Sequence, residues 1–253
     1  MPEPRIGFLI GGVQKAGTTA LALYLAAHPG LALPSSKEAH VFDDPDFNDA
    51  WLPEQIDAWA ADRWSTAVDG RLRGDATPLT IAHPQLIERV ARYNPAMRWV
   101  VLLRDPVERA VSHYYMIRGW GHEPLGLLWA VLAEPARLRR GRGDWSLRAP
   151  ARFSSYVSRG RYARQLDVLF RHFPSEQVLL LRSRDLAERP EQTVAGVLAC
   201  LGVPPFPSPP VFSRAFEGSY RPLLWWSPGR WLLKFLLRGE KRALRRRYGV
   251  DLD

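Results

Sequence analysis

The sequence predicts an α/β fold with three layers, in which helices flank a central, mostly parallel sheet. Short apolar runs bounded by charges or turn residues are typical of strands buried on both faces; they occupy residues 6–10, 99–103 and 177–181. Segments with helical periodicity follow these strands, at residues 17–27, 106–117, 160–172 and 191–200. Alternation of strand and helix is the pattern of a parallel α/β sheet.

The composition is that of a globular protein with a substantial core. The chain has 253 residues, of which 46% are hydrophobic and 24% charged, so a disordered or fibrous protein is excluded. We expect one domain over residues 1–220 and an extension over 221–253 that packs on the same domain. The loop-like stretches at 136–150 and 203–210 are too short to separate further domains.

Compartment and metal content are constrained by what the sequence lacks. The single cysteine, Cys200, excludes an intrachain disulfide and a cysteine-based metal cluster. No stretch reaches the roughly 18 consecutive apolar residues that a membrane helix needs. The first apolar run leads directly into Gly11 and Gly12 without a cleavage site, so we expect no signal peptide and a cytoplasmic location.

The positive charge is concentrated at the C-terminus. The formal net charge is +9, and residues 221–253 contribute +6 of it, from nine basic and three acidic residues. The rest of the chain is only mildly basic. A surface that coats nucleic acid would be basic throughout, so we expect no nucleic-acid partner. Only the basic tail suggests the further alternative of a non-catalytic nucleotide- or nucleic-acid-binding protein.

A glycine-rich turn joins the first strand to the first helix. Residues 12–19 read Gly-Val-Gln-Lys-Ala-Gly-Thr-Thr. Glycines allow the backbone to approach a ligand closely, and a helix N-terminus offers N–H groups to an anion. The candidate phosphate ligands are Lys15, Ala16, Gly17, Thr18 and Thr19.

This turn is P-loop-like but differs from a Walker A sequence. In a Walker A loop the lysine follows the second glycine, whereas Thr18 follows Gly17 here and the lysine, Lys15, lies inside the loop. An alternative function for a protein with such a turn is that of a P-loop nucleotide kinase or other phosphotransferase. Against it stands the absence of a clear acidic partner for a metal ion.

A second anion-binding segment follows the strand at 99–103. Residues 104–106 read Arg-Asp-Pro, and Ser112 lies two turns into the following helix. Asp105 is suited to cap this helix, and Pro106 is suited to its first turn. The guanidinium of Arg104 and the hydroxyl of Ser112 suit a terminal phosphate monoester.

Together, the two motifs resemble those of sulfotransferases that use 3′-phosphoadenosine-5′-phosphosulfate, and in particular the heparan-sulfate O- and N-sulfotransferase domains and their bacterial relatives. The resemblance covers about residues 1–202. Residues 74–78, Gly-Asp-Ala-Thr-Pro, are similar to the family's Gly-Glu-x-Thr-Pro turn, and Tyr162 with Gln165 matches a later helix. The first motif then implies a 5′-phosphosulfate loop and the second a 3′-phosphate site.

The resemblance also implies the catalytic residues. Residues 37–43, Lys-Glu-Ala-His-Val-Phe-Asp, are similar to the family segment that carries the base. It implies Glu38 as the base for the acceptor hydroxyl, His40 and Asp43 as supporting residues, and Lys15 as the cation that stabilises the leaving phosphate. His40 is the competing base, because imidazole serves as the base in other sulfotransferases.

Two departures from the family bear on cofactor and acceptor. Ala76 stands where several heparan-type members have a second lysine, and a C-terminal disulfide loop is impossible with Cys200 alone. A long heparan chain is therefore not the expected acceptor, which we expect to be a carbohydrate or small-molecule hydroxyl. The donor nucleotide is the only expected cofactor, because the six histidines are scattered and form no metal motif.

The C-terminal segment from 225 to 248 combines tryptophans and leucines with Lys and Arg at helical spacing. Three interpretations stay open: a last helix that packs on the body, a helix that lies on a membrane surface, or a binding site for an anionic acceptor or partner. Just upstream, Tyr220 and Arg221 are candidate residues that close over the nucleotide.

Overall fold

The computed structural model describes residues 5–64, 70–146, 148–208, 210 and 227–252. The chain divides into two compact units. Unit 1 comprises residues 1–103 and 166–216, and unit 2 comprises residues 104–165 and 217–253. The predicted boundary at residue 220 lies outside the described residues and stays a prediction.

Unit 1 contains a five-stranded sheet with the order β2-β3-β1-β4-β5, in which all pairs are parallel. The strands are β1 (Ile6–Gly12), β2 (Leu31–Ala32), β3 (Leu72–Asp75), β4 (Arg98–Leu103) and β5 (Val178–Arg182). β1 and β4 lie inside the sheet, and their apolar side chains are almost fully buried. Helices flank the sheet, so the predicted fold class is confirmed.

Helices occur at all four predicted positions and also at other positions along the chain. They are α1 (Thr18–Ala26), α2 (Pro53–Ala60), α3 (Pro84–Tyr93), α4 (Pro106–Gly119), α5 (Leu127–Arg140), α6 (Pro150–Phe153), α7 (Tyr162–His172), α8 (Ser183–Glu188), α9 (Pro190–Leu201), α10 (Pro228–Leu237) and α11 (Glu240–Tyr248). Several begin with proline, which is pre-organised for the first turn. The stretch 136–150 is not a loop throughout, because α5 continues to Arg140.

Unit 2 is helical, with its own apolar core. The cluster joins α4, α5 and α10 through buried side chains that include Val111, Leu127, Tyr156, Leu233 and Leu237. The C-terminal segment forms two helices, α10 and α11, which are separated at Gly239. Within the described part of the chain, no helix is both long and apolar enough to cross a membrane.

Candidate active site

The glycine-rich turn leaves the carboxyl end of β1 and leads into α1. The Val13 N–H donates to the Leu102 carbonyl of β4 (2.8 Å), which ties the start of the turn to the neighbouring strand. Gly17 has a φ of 98°, in the left-handed region that glycine adopts without strain. The turn therefore lies at the carboxyl end of the central strands, where parallel α/β sheets bind ligands.

The start of α1 is open to an anion. Among the described residues, no side chain caps this helix, which begins at Thr18 after Gly17. The first N–H groups of a helix have no partner within it and carry a partial positive charge. Lys15 is half-buried and adopts a left-handed φ of 72°, which places a cation within the same turn. The turn thus combines backbone donors with one lysine.

Gly12 allows the turn that follows β3 to pack closely against the glycine-rich turn. A Cβ at Gly12 would lie 2.4 Å from Cγ2 of Ile81, so only glycine fits there. Ile81 belongs to the turn that follows β3, and β3 is the direct neighbour of β1. The carboxyl ends of β1 and β3 therefore meet at one edge of the sheet.

The predicted catalytic segment lies beside the carboxyl end of β3. The Ala39 N–H donates to Oδ1 of Asp75 (2.8 Å), the last residue of β3. The His40 N–H donates to Oγ1 of Thr77 (3.2 Å), and that hydroxyl in turn donates to Oδ1 of Asp75 (2.9 Å). These bonds hold the backbone between Glu38 and His40, so the structure brings the predicted catalytic segment and the glycine-rich turn to the same end of the sheet.

The side chains of this segment form a row of alternating charge. Nζ of Lys37 lies 2.5 Å from Oε1 of Glu38, and Oε2 of Glu38 lies 3.4 Å from Nε2 of His40. Nδ1 of His40 lies 2.8 Å from Oδ2 of Asp43, which is buried. The side chains of Glu38 and His40 are 29% and 40% exposed, so both can meet a ligand.

His40 is held towards its protonated form. Burial opposes the charge, but the hydrogen bond to Asp43 and the negative charges of Asp43, Glu38 and Asp75 outweigh burial and raise the pKa of His40. A protonated imidazole cannot accept a further proton. The raised pKa therefore favours the imidazolium form of His40, which donates from both ring nitrogens and has Asp43 and Glu38 as neighbouring acceptors.

Asp75 and Thr77 support the candidate site, although neither is among the site residues predicted from the sequence. Asp75 is fully buried, and burial raises its pKa to about 6, against the opposing hydrogen bonds from Ala39 and Thr77. The family-like turn at 74–78 was the signal that could have identified them. Ala76, in the same turn, is also fully buried.

The second predicted motif lies in unit 2, at the start of α4. Arg104 directly follows β4 and is half-buried, and Ser112 is buried within α4. Oδ1 of Asp105 accepts from the N–H groups of Val107 and Glu108, both at 2.9 Å, as predicted for a cap. The first N–H groups of α4 are therefore already satisfied, and a phosphate here depends on side chains.

The tail stabilises this helix start. Nζ of Lys241 lies 2.9 Å from Oδ2 of Asp105. Burial works against ionisation of Asp105, but the bonds from the Glu108 N–H and Lys241 lower its pKa below the usual value. The other two candidate nucleotide ligands, Tyr220 and Arg221, lie outside the described residues.

Comparison with known proteins gives the family. The family model of the sulfotransferase domain matches residues 6–209. A solved sulfotransferase from Alicyclobacillus acidocaldarius is 26% identical, with a TM-score of 0.78 over 98% of both chains.

Curated relatives match a smaller share of their own length. Heparan sulfate glucosamine 3-O-sulfotransferase 6 from Homo sapiens is 29% identical over 77% of this chain and 52% of its own. The membrane-associated sulfotransferase kil1 from Dictyostelium discoideum is 32% identical over 45% of this chain and 23% of its own. The chain thus spans about half or less of these relatives. The family recognised from the motifs is confirmed, and the chain belongs to the sulfotransferase family.

Proposed function

We propose that the protein transfers a sulfuryl group from 3′-phosphoadenosine-5′-phosphosulfate to a hydroxyl group of a carbohydrate or small-molecule acceptor. The observation that carries the proposal is that two groups of residues lie at the same end of the sheet in unit 1. The Lys15 turn and the Glu38–His40–Asp43 row both lie there, tied through Gly12 and Asp75 to neighbouring strands. An anion cradle beside a base is what sulfuryl transfer to a hydroxyl requires.

The glycine-rich turn fits the phosphosulfate end of the donor. The open N-terminus of α1 and the hydroxyls of Thr18 and Thr19 supply donors, while Lys15 supplies a positive charge. When the S–O bond to the nucleotide breaks, negative charge grows on the phosphate oxygen that leaves. Lys15 stabilises this charge, and that interaction strengthens in the transition state.

Glu38 removes the proton of the acceptor hydroxyl as its oxygen forms the new bond to sulfur. His40 holds Oε2 of Glu38 from one side, and Asp43 fixes the orientation of the imidazole. The ammonium group of Lys37 contacts Oε1 of Glu38 and adds a positive charge to the segment that already holds His40. Its position differs from that of the family lysine, where this chain has Ala76. A carboxylate oriented in this way suits a hydroxyl acceptor.

Arg104 and Ser112 are proposed to bind the 3′-phosphate of the donor, with Tyr220 and Arg221 closing over the nucleotide. The support for Arg104 and Ser112 is the motif and its place at the end of β4. Since Asp105 already caps α4, the affinity for the 3′-phosphate depends on the guanidinium and hydroxyl groups rather than on the helix N-terminus.

Calorimetry with three nucleotides tests the proposal. We expect 3′-phosphoadenosine-5′-phosphate to bind without metal, adenosine-5′-phosphate to bind more weakly, and ATP with Mg²⁺ to bind least. Preference for ATP with Mg²⁺ would indicate a P-loop phosphotransferase and would overturn the proposal. Mass spectrometry after incubation with the sulfuryl donor and a panel of sugars, phenols and alcohols would then identify the acceptor.

Lys15→Ala is the matching activity test. It should lower turnover by about 10²–10³, the usual effect of removing a group that stabilises transition-state charge. The fold should persist, because Lys15 lies in a partly exposed turn. Lys234→Ala, at an exposed position of α10, is the control and should leave turnover with a soluble acceptor unchanged. Unchanged turnover in Lys15→Ala would contradict the role assigned to this lysine.

A further inference from the structure

One face of α10 exposes aromatic side chains that the core of unit 2 does not use. Leu233 and Leu237 are buried against α4 and α5, whereas Trp231 and Phe235 are 56% and 59% exposed. Residues four apart lie on the same face of a helix, so the two rings form one apolar stripe. Among the described residues, six of the eight exposed large hydrophobic side chains lie in unit 2.

Cations cover the rings of this stripe. Nζ of Lys234 lies 5.5 Å from the ring centre of Trp231, and the guanidinium of Arg238 lies 4.6 Å from that of Phe235. Long basic side chains can keep their charge in water while their stems and the rings face an apolar phase. The stripe is therefore both apolar and basic.

An arginine-lined pocket lies on α11, which follows the stripe in the chain. The pocket encloses about 440 Å³ and is lined by Gly239, Arg242, Ala243, Arg246 and Arg247. It adjoins the stripe along the chain, because Gly239 follows Arg238 directly.

Not all basic residues of the tail are available to a partner. Arg230 pairs with Glu108, Lys241 with Asp105, and Arg245 with Asp251. In the part of the chain that the structure describes, neither Arg242 nor Arg246 has an ion pair. Arg242 and Arg246 therefore bring positive charge to the pocket, which suits a phosphate group.

We propose that the basic–aromatic surface, defined as Trp231, Lys234, Phe235, Arg238, Arg242 and Arg246, docks the protein on an anionic phospholipid membrane. A free anion would need only the arginines. Rings beside cations match the interfacial region of a bilayer, where aromatic side chains enter the headgroup layer and Lys and Arg attract anionic lipids. The net charge of +6 over residues 221–253 adds long-range attraction to such a surface.

Co-sedimentation with vesicles tests this proposal. The wild-type protein should bind phosphatidylcholine vesicles that contain phosphatidylglycerol and should bind phosphatidylcholine alone much more weakly, with binding that falls as salt rises. Arg242→Gln with Arg246→Gln should weaken binding about 10-fold or more, since each basic residue contributes about 5-fold near an anionic surface. Trp231→Ala with Phe235→Ala should weaken it to a similar extent.

Matched controls separate this surface from charge and exposure in general. Arg139→Gln with Arg140→Gln removes two exposed charges from α5, and Trp120→Ala removes an equally exposed tryptophan, 58% against 56%. Both controls should bind vesicles as the wild type does. Nucleotide binding should be the same in all variants, so failure of this proposal and failure of the proposed function are distinguishable.

Three outcomes would overturn the proposal. The first is no binding of the wild-type protein to anionic vesicles. The second is binding to a soluble sulfated polysaccharide without vesicle binding, which would assign the surface to an anionic polymer. The third is self-association in solution that Trp231→Ala with Phe235→Ala abolishes, without vesicle binding, which would make this face an interface between copies.

Discussion

Two segments are predicted to bind phosphate, one after β1 and one after β4, and each leads into a helix. The N-termini of these two helices differ in their capping. α1 begins after Gly17 and, within the described residues, has no side-chain cap, whereas Asp105 caps α4 with two hydrogen bonds. The first segment therefore offers backbone N–H groups to an anion. The second offers only side chains, chiefly those of Arg104 and Ser112.

Because of this difference, the two segments are expected to affect different quantities, turnover and donor affinity. The open turn lies at the sheet edge that also holds Glu38 and His40, so its residues are expected to act on turnover. The capped helix carries no group assigned to the reaction, so its residues are expected to act on donor binding. Substitutions in the two regions can break or sharpen this division.

The largest effect is expected for Glu38→Gln. The amide keeps the shape of the side chain but cannot accept the acceptor proton, so turnover should fall by about 10²–10⁴ while donor affinity stays nearly unchanged. Steady-state kinetics at saturating donor, with calorimetry of the bisphosphate nucleotide, measures both. If Glu38→Gln keeps half of the wild-type turnover while folded His40→Ala loses it, the base is His40.

Asp75→Asn tests the support of the catalytic segment. The pKa of Asp75 in the folded protein, about 6, exceeds its ordinary value of 3.8. The stability that its proton contributes is therefore complete below about pH 4 and is lost as pH rises through about 6. Asparagine keeps the acceptor oxygen for Ala39 and Thr77 and cannot ionise. Above pH 6 the variant should gain up to about 3 kcal/mol in free energy of unfolding relative to wild type.

Urea titrations at several pH values measure this gain, which should vanish near pH 4. The charges of Asp43 and His40 also act on Asp75, so the comparison is between variant and wild type at each pH. Asp62→Asn, an exposed carboxyl in the same unit, is the control and should show no such window. A stability difference independent of pH would contradict the assigned cause.

Arg104→Ala tests the other side of the comparison. Loss of hydrogen bonds to a charged phosphate should weaken binding of 3′-phosphoadenosine-5′-phosphate by about 1.5–3 kcal/mol, with turnover at saturating donor little changed. Adenosine-5′-phosphate lacks the 3′-phosphate and should lose almost nothing. Arg164→Ala, an exposed arginine of α7, is the control. Equal losses for both nucleotides would exclude Arg104 as the 3′-phosphate ligand.

The parts of the molecule that local sequence specifies were predictable. β1, β4 and β5 are apolar runs, and the turn after β1 and the cap at Asp105 follow from neighbouring residues. β2 and β3 were not predicted, because two and four residues without an apolar run give no strand signal. The helical spacing of Lys and Arg predicts one helix for the tail, whereas Arg238 and Gly239 end α10 before α11 begins.

The site shows the same limit. The spacing of Glu38, His40 and Asp43 is local, so a motif can predict these three residues together. The bond from the Ala39 N–H to Asp75 joins residues 36 positions apart, and no local pattern reports such a contact. His40 as an imidazole with a raised pKa is likewise a product of Asp43, Glu38 and Asp75 acting together. The turn at 74–78 marks Asp75 in the sequence, but its hydrogen bond to the Ala39 N–H could be found only in the structure.

The smallest expected effect, at Asp105, tests the comparison most directly. Asp105→Ala would leave α4 without its side-chain cap, as α1 is, and should lower the free energy of unfolding by about 0.5–2 kcal/mol. Asp105→Asn keeps a capping oxygen but loses the ion pair with Lys241, so it should cost less. Urea denaturation measures both.

The uncapped Asp105→Ala variant should also bind inorganic phosphate more tightly than wild type, because the Val107 and Glu108 N–H groups become available. If phosphate binding is unchanged in a folded Asp105→Ala protein, the cap does not decide how the two segments bind anions, and the division drawn from it fails.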